Sequence, residues 1–228
     1  MINSNLQIIG CRILAVAIIL FGFSCSPVTM VKPLEKDQWA AGTSLGGPLI
    51  GFGDMTIPVP FTTLSGAYGL DSNSTVTAKI YPTAALFGVA QMDVGFLHRW
   101  RDSDKWIPGI STLPQAMFMI DGWEGRSSFY PSLDVNAWWT TNLRGDFFYI
   151  GATNWFELRT KGALNREQQQ HWIPALNAGY TLNKKKWNTA FEFKYLAPAN
   201  SNKNLVVDYK SPGQTGATAL FISFTRKF

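Results

Sequence analysis

Acid–base chemistry near neutral pH falls first to histidine, and this chain has two. They are His98, in Leu97-His-Arg-Trp100, and His171, in Gln170-His-Trp-Ile-Pro174. A hydrolase or acyltransferase would need a serine within hydrogen-bond reach of one of them. Asp71-Ser72 and Asp102-Ser103 set serines beside carboxylates, but Asp-Ser pairs are ordinary turn chemistry. Gly42-Thr-Ser-Leu-Gly-Gly47 lacks the Gly-Lys-Ser/Thr that makes a phosphate loop. Asp71, Asp102 and Asp104 are too sparse for a calcium loop. No metal site and no cofactor is expected, and catalysis is not favoured. What remains is a dispersed polar set: Lys79, Gln91, Asp93, Asp134, Asn136, Glu157, Arg159, Glu192 and Lys194. Its mixed charge suits a hydrogen-bonded, neutralised interior, or a narrow polar pathway without a strongly selective ring.

Alternation places these residues. Leu133, Val135, Ala137 and Trp139 share one face against Asp134, Asn136 and Trp138. Phe148, Ile150, Ala152, Phe156 and Leu158 oppose Tyr149, Thr153, Trp155, Glu157 and Arg159. Trp172, Leu176, Ala178, Tyr180 and Leu182 oppose Asn177 and Thr181, and Trp187, Phe191, Phe193 and Tyr195 oppose Asn188, Glu192 and Lys194. Period two over such lengths predicts strands. Further strands are predicted at 39–46, 62–70, 74–81, 85–97, 113–121 and 218–228. The total is ten, with eight or twelve as alternatives. Leu143-Arg-Gly145 and Asn183–Lys186 read as short turns, whereas Lys161–Gln170 and Ala199–Gln214 read as long polar loops. The rhythm breaks earlier, where Tyr81–Ala84 is very short and His98–Thr112 is long. Prolines 48, 58 and 60 belong at a rim or loop.

Hydrophobic residues make up 46% of the chain and charged residues 15%, against about 25% charged in typical soluble domains. Ile13–Phe23 is an apolar run behind Arg12, shorter than the roughly 20 residues of a spanning helix. It predicts an export signal over 1–24. Cys11 would leave with the signal, so Cys25 alone would remain, and no intrachain disulfide could form. Removing 1–24 takes away one base, Arg12, of the 20 bases and none of the 15 acids, leaving net +4. Lys184-Lys185-Lys186 is the only basic run, so no nucleic-acid partner is expected.

Two resemblances add to this reading. Gly22-Phe-Ser-Cys25 resembles a relaxed lipobox, with Gly22 where an aliphatic residue is usual. That implies acylation of Cys25; the other reading is ordinary cleavage nearby, leaving a free thiol. The last strand, with Leu220, Ile222, Phe224 and the terminal Phe228 on one face, resembles the closing strand of bacterial outer-membrane β-barrels. In that family the strand is read by the barrel assembly machinery. The resemblance implies an all-β, antiparallel, transmembrane up-and-down barrel in the outer membrane, in contact with its lipids. Nine tryptophans, several near strand ends, suit aromatic girdles. The expected order is signal 1–24, tether 25–38 and barrel 39–228. The expected role is a non-enzymatic envelope structural or surface-interaction protein. The alternatives are a narrow channel or carrier for small solutes or lipophilic molecules, and a membrane-embedded lipid-modifying enzyme. Against the last, the His-x-Ser-Asn pattern of outer-membrane lipid hydrolases is absent.

Overall fold

The computed structural model describes residues 26–28, 30–123, 125–142, 144–160, 167–168, 170–203 and 207–228. The strands are β1 (Trp39–Phe52), β2 (Met55–Pro58), β3 (Phe61–Gly69), β4 (Ser74–Ile80), β5 (Val89–Arg101) and β6 (Gly109–Asp121). They continue with β7 (Arg126–Thr140), β8 (Phe147–Phe156), β9 (Trp172–Asn183), β10 (Trp187–Ser201) and β11 (Thr215–Lys227). Apart from β2, which pairs only with β1, each strand pairs antiparallel with its neighbours in sequence, and β11 returns to β1. The result is a closed ten-stranded barrel with one extra strand. The seam runs from Ala40 opposite Lys227 to Pro48 opposite Ala219. The amide of Phe228 extends it by donating to the carbonyl of Trp39 at 2.8 Å.

Closure leaves two faces of opposite character. Phe96, Phe118, Phe148, Ile150, Phe191 and Leu220 point outward and are largely exposed. Lys79, Asp93, Asp134, Asn136, Glu192 and Lys194 point inward and are buried. An apolar exterior around a polar interior is the construction of an outer-membrane barrel. Closed pairing is also what lets strands cross lipid with every amide satisfied. Trp39, Trp100, Trp187 and Phe228 ring one end, and Trp123, Phe156 and Trp172 the other.

The connections keep a strict rhythm. One end carries the short turns 70–73, 102–108, 141–146 and 184–186. The other carries 53–60, with β2, and then 81–88, 122–125, 157–171 and 202–214. The break expected from sequence is corrected in two places. His98–Thr112 is not a long link, because β5 continues to Arg101 and β6 starts at Gly109. The strand expected from residue 85 starts only at Val89, because Pro82–Leu86 form one helical turn with proline in its first turn, where the missing amide costs nothing. Gly88, at φ 81°, then turns the chain into β5. In the glycine-rich stretch of β1, Gly46 has φ 138°, and a Cβ there would lie 2.0 Å from the carbonyl oxygen of Leu220. This glycine lets the seam strands approach.

Much of the interior is filled. Ahead of β1, the chain runs back into the barrel from the short-turn end, with Val28, Val31 and Leu34 all buried. Val28 and Val31 pack with Trp138, Phe147 and Tyr149, and Trp138 has no exposed surface. Unboiled protein should therefore migrate faster than boiled protein on SDS gels. Trp138→Ala should lower the temperature of that conversion, since deleting a buried aromatic costs about 3–5 kcal/mol. An unchanged conversion temperature would show that Trp138 carries no packing load.

Candidate functional site

The site is the lumen, and its centre is a belt of charged side chains around the incoming segment. Lys79 of β4 donates from Nζ to Ser26 Oγ at 2.5 Å and to the Pro27 carbonyl at 3.1 Å. Lys194 of β10 donates to the Ser26 carbonyl at 3.0 Å. Glu192 accepts the Val28 amide, at 3.2 and 3.3 Å to its two oxygens, and the Tyr149 hydroxyl at 2.7 Å. Lower down, Ser111 donates to the Val31 carbonyl at 2.7 Å, and the Leu34 amide donates to Thr75 Oγ1 at 2.9 Å. Side chains from β4, β6 and β10 thus satisfy a segment that has no strand partner of its own. Buried backbone groups need such partners.

Above Ser26 the belt is less complete. Asp93 accepts the Tyr81 hydroxyl on Oδ2, and Asp134 accepts Gln115 Nε2 on Oδ2 at 3.1 Å. The other oxygen of each carboxylate, and the hydroxyl of Thr153, have no hydrogen-bond partner among the described residues. All three residues line a cavity of about 50 Å³ that also touches Ser26, Pro27, Lys79 and Lys194. Asn136 accepts from Asn177 at 3.1 Å within the same interior. Gln91 is half-buried and reaches the sulfur of Met117 at 3.2 Å. Glu157 is buried and pairs at 2.9 Å with Arg159, an exposed residue whose guanidinium lies over the Tyr130 ring. Of the sequence-derived set, Lys79, Asp93, Asp134, Glu192 and Lys194 share one cluster, whereas Glu157 and Arg159 form a separate pair near the long-loop rim. The sequence reading missed Ser26, Pro27 and Val28, whose short aperiodic stretch carries no strand signal. Cys25 lies outside the described residues.

The histidines have local roles. His98 Nδ1 lies 3.2 Å from Ser74 Oγ, and Ser74 is buried at the short-turn rim. The Asp71 carboxylate accepts the Asn73 amide at 2.7 Å, a bond that leads in holding its pKa below the ordinary carboxyl value. His171 Nδ1 meets the Glu157 carbonyl at 2.8 Å. Asp102 pairs with Arg99 and Ser103 with Thr140, so that Asp-Ser pair belongs to a turn. Among the described residues, no group of three His, Cys, Asp or Glu side chains could hold a metal ion. Leu220, Ile222 and Phe224 occupy the outward face of β11, with Ile222 half-buried, and the exposed Phe228 directly follows its last residue.

No family model and no curated protein matches this chain. Among solved structures, the translocator domain of the autotransporter NalP from Neisseria meningitidis is similar, with a TM-score of 0.43 and 11% identity. That match covers 99% of this chain and 96% of the other. The outer membrane protein OprG from Pseudomonas aeruginosa matches with a TM-score of 0.31 and 11% identity, over 87% and 99% of the two chains. Ail, the attachment invasion locus protein of Yersinia pestis, matches with a TM-score of 0.27 and 8% identity, over 86% and 100%. At these identities the chain is assigned to none of their families.

Glu192→Ala should strand the Val28 amide and the Tyr149 hydroxyl, at about 1–3 kcal/mol for each buried group left unsatisfied. The readouts are a lower urea midpoint in detergent and faster proteolysis within 26–34; parental values for both would remove Glu192 from the clamp. A second effect concerns acid. Asp146, in the short turn 141–146, accepts Asn142 Nδ2 and the Asn183 amide, each at 2.6 Å. The Asn142 bond, then the Asn183 bond, holds its carboxyl below the ordinary value. A depressed carboxyl contributes its full stability above the unfolded pKa of about 3.9, and loses it as pH falls through the lower folded value. Asp146→Asn should therefore shallow the acid-side fall in stability below about pH 4, read as gel-shift temperature against pH. An unaltered profile would detach Asp146 from it.

Proposed function

We propose that this chain is a non-enzymatic outer-membrane barrel, closed at rest, that presents its long-loop end as an envelope structural or surface-interaction element. One observation carries the reading: Lys79, Glu192 and Lys194 clamp Ser26, Pro27 and Val28 in the middle of the lumen. A continuous water path would leave these groups free to hydrate instead. The loop end is itself organised. The Asp208 carbonyl accepts the Gly51 amide and the Lys210 amide donates to the Leu49 carbonyl, both at 2.9 Å, so segment 207–210 lies across β1 above the seam. Asn202 Nδ2 reaches the Tyr209 carbonyl, Ser211 Oγ and the Gly216 carbonyl, bracing the same loop. Segment 207–210, held against β1 on the edge opposite β2, supports contact rather than passage.

The outward ridge Leu220, Ile222, Phe224 and Phe228 fits the proposed recognition by the assembly machinery. A narrow channel or carrier is the second reading, favoured by the cavity that remains above Ser26. A lipid-modifying role is the third reading: His98 Nδ1 lies 3.2 Å from the Ser74 hydroxyl, whereas His171 meets a backbone carbonyl.

Single-channel recording in planar bilayers separates the readings. The intact barrel should give no conductance steps, and deletion of 26–34 should produce them. Steps from the intact barrel would establish the channel reading. His98→Ala and His171→Ala should leave envelope lipid composition unchanged; an altered acyl profile would restore the enzyme reading.

A further inference from the structure

Five charged side chains gather at the level of Ser26: Lys79 and Lys194 against Asp93, Asp134 and Glu192. The belt therefore carries one carboxylate more than it has ammonium groups. The surplus has a location. Glu192 is fully engaged, but Asp93 and Asp134, 5% and 2% exposed, each keep one oxygen without a partner, and Thr153 keeps its hydroxyl. The three lie around one cavity of about 50 Å³, with Ser26 in its wall. A buried charge left uncompensated is strongly unfavourable, so the pocket calls for one small cation with several donors.

We propose that this cation is the α-ammonium of the chain's own mature N-terminus, formed when the export signal is removed just ahead of Cys25 or Ser26. The step is a hydrolysis: one water is consumed, the departing signal keeps the new carboxylate and the retained chain keeps the new amine, protonated at neutral pH. An ammonium offers three N–H donors, and three orphaned acceptors wait: Asp93 Oδ1, Asp134 Oδ1 and Thr153 Oγ1. Its single charge cancels the surplus. Ser26 lines the cavity, and one further residue adds about 3.8 Å, so a new amine at either position lies within one residue's length of it. Acylation of Cys25 is the competing fate. A lipid chain belongs in the bilayer, and following it would withdraw Ser26 from Lys79 and Lys194.

This assignment rests on the closed-lumen reading and is tested separately from it. Protein isolated from the outer membrane is sequenced from its N-terminus and weighed intact. It is then treated with an amine-selective label at pH 7, folded or in urea, and the N-terminal peptide is quantified by mass spectrometry. The expected result is an unblocked chain starting at Cys25 or Ser26, whose amine is labelled about tenfold or more slowly in the folded barrel, as for other groups reached only through local opening. Asp93→Asn with Asp134→Asn should bring labelling close to the unfolded rate. If that double variant loses heat-modifiability, Asp93→Asn alone should accelerate labelling in a barrel that still folds. An acylated N-terminus, a chain starting beyond Ser26, or equal labelling rates folded and unfolded would overturn the assignment. Any of these with a barrel that gives no conductance leaves the closed-lumen reading standing, whereas conductance steps from the intact protein remove that reading itself.

Discussion

In a bilayer an amide without a partner costs several kcal/mol, and the β1–β11 seam is where this chain meets that constraint. The register from Ala40–Lys227 to Pro48–Ala219 leaves neither edge strand open to lipid. Side-chain alternation then sends one row of every strand into hydrocarbon and the next into the lumen. The buried lysines and acids are thus a consequence of closure: they occupy the only polar space that the cylinder offers.

Barrel width decides what happens to that space. Eight strands leave an interior that side chains can fill; ten leave more. Here the excess is taken up by the chain ahead of β1, with Val28 and Val31 against Trp138 and Tyr149. Its carbonyls and amides meet Lys79, Glu192 and Lys194. One segment thus takes up volume and supplies hydrogen-bond partners to the lumen charges.

The second half of the barrel was legible because its strands alternate cleanly and its turns are marked by Gly145 and Lys184–Lys186. The first half was harder for identifiable reasons. Pro82 and Gly88 convert the expected start of a strand into a helical turn, and the β5 extension through Arg101 is too polar to read as strand. Asp93, Asp134, Glu192 and Lys194 stood out as charges on otherwise apolar strands. Ser26, Pro27 and Val28 did not, because their partners lie far along the chain and no local pattern encodes them. The same is true of the Ser74–His98 contact, which joins two strands and is not visible as a motif in either.

The hydrogen bonds from Val28 to Glu192 and from Lys194 to Ser26 span 164 and 168 residues. Contacts so distant in sequence form slowly, since a long loop must close before they reward it. Ser26 and Pro27 can meet Lys79 of β4 earlier, but the bonds to Glu192 and Lys194 form only when β10 is in place, one strand before the cylinder shuts. Seating of Ser26–Val28 reports that nearly the whole chain has been assembled, and so serves the molecule as its own record of completion.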